Sequence, residues 1–189
     1  PRGAEGFTVT DPERLTTLVV VRACDVPERQ RFSFAHELGH LLWGDGAQVH
    51  ELNATRTPGE QRVDAFARHL LAPAEGIRTW LTAESVPMDE PVSERTAALL
   101  ARHFRVSLMV ILIQLEYMSV ITPKRKKELQ KSTGAQLAQR YGWGPAYQQE
   151  QELASTVRAP RRIMERAVEA YQQNLIGVRV LARLEGRTP

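Results

Sequence analysis

The pattern that most limits how this chain can fold is five residues long and sits inside an apolar run. Residues 31–46 read RFSFAHELGHLLWGDG, with His36 and His40 four apart and Glu37 directly after the first. A helix turns about 100° per residue, so the two imidazoles lie roughly 40° apart on one face, one turn above the other. Two ring nitrogens so placed can reach one metal ion. Glu37 falls beside them, where its carboxylate can touch a water on that ion without ligating it. Phe32, Phe34, Ala35, Leu38, Leu41 and Leu42 give the pattern an apolar surround, which predicts a buried helix with Ser33 as N-cap and Gly44-Asp45-Gly46 as its stop. Two histidines and a glutamate inside a buried segment are costly unless something pairs with them.

A catalytic zinc takes three protein ligands and keeps a fourth position for water, so a further donor is required. The downstream candidates are His50, Glu51, Glu60, Asp64 and His69. One class of such sites takes a third histidine at HExxHxxGxxH, but Trp43 stands at the glycine position and Gly46 at the histidine position, which excludes it. The other arrangement takes a glutamate from a separate helix, and Glu60 opens the next helical segment twenty residues after His40. Asp64 sits one turn further, about 40° round the same face, where it can accept the free ring N–H of a ligand histidine. His69 lies about 180° from Glu60 on that helix and points away. Asp64 as the ligand, or His50 or Glu51 from the intervening loop, stay open as alternatives to Glu60. Two imidazoles and a carboxylate suit zinc, with manganese the runner-up.

With 189 residues, 42% of them hydrophobic, the chain can bury a core as one domain or one domain with an appendage. The single cysteine, Cys24, excludes a disulfide framework, no apolar run nears membrane-spanning length, and the cytoplasm is the expected location. After a turn-rich opening, LTTLVVVRACDV (15–26) reads as a strand ended by Pro27, and its edge offers backbone pairing to an extended protein substrate. EQRVDAFARHLLAP (60–73) is a second helix with Val63, Ala67, Leu70 and Leu71 inward. A long apolar helical region spans 93–120. Residues 123–145, with Pro123, Gly142, Gly144 and Pro145, read as a connector or mobile loop before a last helix pair at 160–173 and 175–185. The expected fold class is α+β: mostly helical, with a small sheet next to the histidine helix in the zincin-like manner, plus a helical C-terminal region. Residues 1–122 form the zincin-like domain, and 123–189 a helical region packed on or linked to it.

Two features bear on a non-catalytic reading, a DNA- or protein-binding regulator built on the 94–122 helices. All four lysines (124, 126, 127 and 131) fall in TPKRKKELQKS, and LLARHFRVS followed by an apolar helix reads like a helix-turn-helix unit. A groove-reading helix exposes polar and basic side chains, whereas LMVILIQLEYM carries almost none. That helix is therefore expected in the core, the lysine run as a solvated linker or helix start, and direct nucleic-acid binding is not expected. Cys24 reads as a small buried apolar residue, with a thiolate cap on the metal as the lesser reading. His103 and Tyr117 read as helix-surface or core-edge residues.

Taken in order, RQRFSFAHELGHLLW and EQRVDAFARHLLAP resemble the ImmA/IrrE family of bacterial metallopeptidases. The shared pattern is an arginine-aromatic lead into HExxH, then a glutamate, a short spacer, the pair Phe66-Ala67 and the ending Leu70-Leu71-Ala72-Pro73. Residues 15–73 match throughout, and RAPRRIMERAVEAYQQNLIGVRVLARLEG (158–186) resembles the helical tail of many members. The resemblance implies His36, His40 and Glu60 as ligands of zinc, Glu37 as the catalytic carboxylate, and a protein or peptide substrate. Members typically cleave a helix-turn-helix repressor, so it also implies a part in transcription regulation. Asp64 departs from the asparagine common there, and the short N-terminus lacks the helix that often precedes the strand. The alternative within the same chemistry is a peptide-maturation peptidase or a metal-dependent amide hydrolase.

Overall fold

The β-branched run does form a strand, shorter than 15–26 and with a partner. Strand β2 (Thr16–Val21) pairs antiparallel with β1 (Gly6–Asp11), in a register running from Gly6 opposite Val21 to Asp11 opposite Thr16. The opening expected to be turn-rich is therefore half of a hairpin. GFTVTD alternates with period two, but it is too short to stand without the ladder bonds that β2 supplies. The computed structural model describes residues 6–11, 13, 16–44, 57–86, 91–157 and 159–186, so His50 and Glu51 lie outside the described residues.

Pro27 begins a helix as well as ending the extended stretch. Helix α1 (Pro27–Trp43) takes Pro27 at its first turn, where a missing N–H costs nothing, with Val26 as N-cap. Ser33 is not the cap expected of it; it is buried inside α1. Gly44, left-handed at φ 71°, closes the helix by donating its N–H to the carbonyls of His40 and Leu41. Helix α2 (Pro58–Leu71) starts two residues before Glu60, because Thr57 Oγ1 accepts the Glu60 N–H at 3.2 Å. Helix α3 (Ala74–Ala83) follows.

The apolar helical region over 93–120 is two helices, α4 (Glu94–Phe104) and α5 (Leu108–Tyr117), meeting at 107°, with the turn where LLARHFRVS reads like a helix-turn-helix unit. Ser107 caps α5, and Arg105 turns the chain in the left-handed region at φ 52°. Residues 123–145 are not a loop. Helices α6 (Pro123–Leu129), α7 (Gly134–Tyr141) and α8 (Gly144–Ser155) fill them and run beyond. The prolines and glycines stand at helix boundaries: Pro123 in a first turn behind the Thr122 cap, Gly142 as a left-handed C-cap, and Thr133 with Gln136 as a capping box. Helices α9 (Arg161–Gln172) and α10 (Val178–Leu184) follow as a pair.

The architecture is α+β and mostly helical, with one two-stranded sheet among the described residues. Ile77, Leu81, Leu100, Ile111, Leu112 and Leu115 are the fully buried centre of the core, and Leu129 and Leu137 join it from α6 and α7. Helix α5 buries Leu108, Val110, Ile111, Leu112, Gln114 and Leu115, so its apolar residues serve the core. Its buried Gln114 donates to the Ala72 carbonyl at 2.7 Å, pinning the end of α2. The lysine run forms α6, where Lys126 pairs with Glu116 and Arg125 donates to the Val92 carbonyl. No single helix among the described residues is long and apolar enough to cross a membrane.

Candidate metal centre

Helix α1 packs against α2, both strands and α8. The faces it uses reverse the expectation. Ser33, Ala35, Glu37, Gly39 and His40 are buried, while Phe34, Leu38, Leu41, Leu42 and Trp43 are exposed, Leu42 by 65%. Small residues explain the inversion, because they let neighbouring backbones come close. A Cβ on Gly39 would stand 2.7 Å from Val63 Cγ1 and 3.1 Å from Phe66 Cδ1, so only glycine allows α2 to sit where it does. On α2, Val63 and Ala67 are inward as expected, but Leu70 is exposed. Trp43 closes the far end of the contact, edge-on to Phe66 with ring centroids 5.4 Å apart and the Arg62 guanidinium 4.8 Å from its ring.

This close approach brings three side chains to one point. His36 Nε2 lies 3.1 Å from His40 Nε2 and 3.2 Å from Glu60 Oε2, and His40 Nε2 lies 3.2 Å from Glu60 Oε1. Asp64 Oδ1 meets the other ring nitrogen of His36, Nδ1, at 3.0 Å. An ionised carboxylate only accepts, so that Nδ1 carries the proton and His36 turns the lone pair of Nε2 into the triangle. Burial lowers the His36 pKa, but the Asp64 hydrogen bond and the charges of Asp64, Glu60 and Glu37 outweigh it and leave it raised. The donor set fits a metal. Bonds of about 2.0–2.1 Å from a tetrahedral zinc separate its ligand atoms by about 3.3–3.4 Å, close to the spacing found here. His36, His40 and Glu60 are the group among the described residues whose donor atoms, all within 4.8 Å of one another, could hold an ion.

Glu37 is almost fully buried beside this group and faces the sheet. Thr8 of β1 donates its hydroxyl to Glu37 Oε2 at 2.9 Å. A Cβ on Gly6 would lie 2.9 Å from Glu37 Oε1 and 3.1 Å from the Val20 carbonyl oxygen, so glycine at residue 6 gives the carboxylate room beside the strand. Thr8, Gly6 and Gly39 were not singled out from the sequence. The period-two alternation of FTVT was the available signal for Thr8, and the small residue inside HELGH was the signal for Gly39.

The remaining candidates stand apart from the triangle. The His69 ring packs on Tyr117, and its Nδ1 is 3.4 Å from Gln114 Nε2. His103 lies between Trp80 and Phe104. Cys24 lies past the end of β2; its thiol donates to the Val26 carbonyl at 3.3 Å and its N–H to the Ala154 carbonyl at 3.2 Å.

The family model for the IrrE N-terminal-like domain, Peptidase M78, matches residues 4–116, which include the hairpin, the histidine helix and α2. Comparison with curated proteins and with solved structures gave no match.

Proposed function

The chain belongs to the IrrE N-terminal-like family of metallopeptidases, Peptidase M78, and from that premise we propose that it is a zinc-dependent endopeptidase. His36, His40 and Glu60 are its metal ligands, Glu37 its catalytic carboxylate and Asp64 the acid that positions His36. The observation that carries this reading is the triangle of His36 Nε2, His40 Nε2 and the Glu60 carboxylate, with edges of 3.1–3.2 Å.

When bound, zinc supplies Lewis acidity, polarising the scissile carbonyl and bringing a water toward a pKa of about 7. Glu37 would take a proton from the attacking water as the new C–O bond forms and return it to the peptide nitrogen as the C–N bond breaks, so that the leaving amine departs neutral. Thr8 holds Oε2 of Glu37 and fixes the rotamer from which the proton moves. Asp64 keeps the His36 tautomer that presents Nε2. An extended peptide pairs with the edge of β2, in the hairpin whose other strand reaches Glu37 through Thr8.

Family membership favours a helix-turn-helix repressor as the substrate, cleaved in the cytoplasm to switch on the genes it holds down. The test is to load purified protein with zinc, measure one metal per chain by elemental analysis, and incubate it with the repressor encoded beside its gene. Cleavage that is abolished in Glu37→Gln, with zinc retained, is the expected result. A chain that stays metal-free after incubation with zinc overturns the metal reading. A zinc-loaded chain that leaves the repressor intact but cuts other peptides overturns only the substrate.

A further inference from the structure

A cavity lies on the side of α1 away from the metal group. Its volume is about 710 Å³, within the range of small-molecule sites, and it opens between the first half of α1, the α4–α5 corner and helices α7 and α8. Phe34 lines it, and residues two apart on a helix point to nearly opposite faces, so the cavity is turned away from His36. Behind it lie the buried Ala98, Ala101, Val106, Leu108 and Leu137, and the apolar side chains it leaves open are Phe34 and Leu153.

Its rim is charged. Arg31 reaches across from α1 and donates Nη1 to the carbonyls of Phe104 and Arg105 at the end of α4. Arg102, one turn before Arg105, places its guanidinium 5.2 Å from the Trp143 ring. Arg105 Nη2 lies 3.7 Å from Glu150 Oε1, a loose and largely exposed pair. Three guanidiniums and the His103 ring thus face the carboxylates of Glu150 and Glu28 around the opening. Glu28 accepts from the Tyr147 hydroxyl at 3.2 Å, and burial pushes its pKa up, toward the neutral acid. Burial and the Arg105 charge in turn pull the Arg31 pKa down. Arg105 also holds a left-handed φ of 52° at a position where glycine carries no strain. The three guanidiniums thus stand close together beside the exposed apolar surface of Phe34 and Leu153, each held in place by a contact within the chain.

We propose that this cleft binds an amphipathic anion, with an apolar body against the exposed Phe34 and Leu153 side chains of its lining and an anionic head at Arg31, Arg102 and Arg105. The chemistry is that of a medium-chain carboxylate. Guanidiniums bind carboxylates through paired charge-assisted hydrogen bonds, and Phe34 and Leu153 offer the exposed apolar surface for the chain beneath the head. The site is independent of the peptidase reading, because none of its residues belongs to the metal group.

The test uses zinc-loaded full-length protein and isothermal titration calorimetry with three ten-carbon probes: decanoate, 1-decanol and decyltrimethylammonium. Decanoate should bind one-to-one and saturably, with the alcohol and the cation at least about tenfold weaker. Arg102→Gln and Arg105→Gln, both at exposed side chains, should each weaken decanoate several-fold while circular dichroism and the thermal midpoint stay put. Leu175→Ser, in the exposed apolar surface of the C-terminal helices, should change nothing. The proposal is overturned if the cation binds as tightly as decanoate, if neither arginine variant weakens binding, if Leu175→Ser abolishes it, or if decanoate shows no heat up to about 1 mM.

Discussion

Gly39 offers the sharpest test of how the metal centre is built, because it touches no donor atom and its effect must travel through packing. In Gly39→Ala the new methyl would stand 2.7 Å from Val63 Cγ1 and 3.1 Å from Phe66 Cδ1. Carbon atoms pack best at about 3.5–4.0 Å, so relief requires about 1 Å of movement. Val63 is fully buried and β-branched on a helix, with one rotamer strongly preferred, so α2 moves rather than the side chain. Glu60 lies one turn before Val63 and moves with it. Its present separations of 3.2 Å from both histidine nitrogens open toward about 4 Å, beyond the edge of about 3.3–3.4 Å that tetrahedral zinc can span. Zinc affinity should fall by about 10–100-fold, the range found when ligand orientation is disturbed. Stability should change less, since alanine gains about 1 kcal/mol over glycine inside a helix and overpacking costs about 1–3 kcal/mol. Competition with a chromophoric chelator measures the affinity, and thermal unfolding measures the stability. Val63→Ala added to Gly39→Ala removes the colliding methyl and should recover most of the affinity, a coupling that a double-mutant cycle reads directly. A Gly39→Ala protein that binds zinc as the wild type does, with Val63→Ala adding nothing, refutes the packing argument.

Glu60→Ala should lose most of the zinc affinity, whereas Asp64→Ala should lose about 10–100-fold and still fill at high zinc. If the same chelator titration ranks them the other way, the two roles are exchanged. Thr8→Val keeps the shape of the side chain but takes away the donor to a buried carboxylate. It should cost about 1–3 kcal/mol and lower turnover with zinc affinity intact, and a variant with full activity would remove Thr8 from the mechanism. Glu28 supplies the pH dependence. Burial raises its pKa, so its contribution to stability is complete below the unfolded value and is lost as pH rises through the folded one. Glu28→Gln cannot ionise and still accepts from Tyr147, so its thermal midpoint should exceed that of the wild type at pH 8, with the gap closing at pH 4. A gap that ignores pH would contradict this.

The parts of the site that could be read from sequence are those fixed by spacing along one helix. His36 and His40 converge because four residues make one turn, and Glu60 and Asp64 share a face for the same reason. That α1 and α2 then meet at one ion depends on Gly39, whose role is visible only once Val63 and Phe66 are placed against it. Thr8 reaches Glu37 across 29 positions of sequence through a strand that exists only by pairing with another. Helices α6 and α7 were hidden because proline and glycine mark helix ends as readily as loops, and the decisive residues were the caps Thr122 and Thr133. The break between α4 and α5 was signalled by Ser107 and not by Arg105, which in sequence gives no hint of its left-handed backbone.

The apolar residues of α1 misled for a related reason. Apolar periodicity identifies an inward face only when a helix has one task, and α1 has two. Its metal face must be polar where it binds and small where it packs, so His36, Glu37 and His40 alternate with Ala35 and Gly39. Phe34 and Leu38 are thereby left to the opposite side, and of these Phe34 lines the cavity beside α4, α7 and α8. A helix that must fit a metal on one side cannot also bury its bulk there. Its largest side chains then mark the surface where something else can bind, and the titration of that cavity with decanoate asks whether it does.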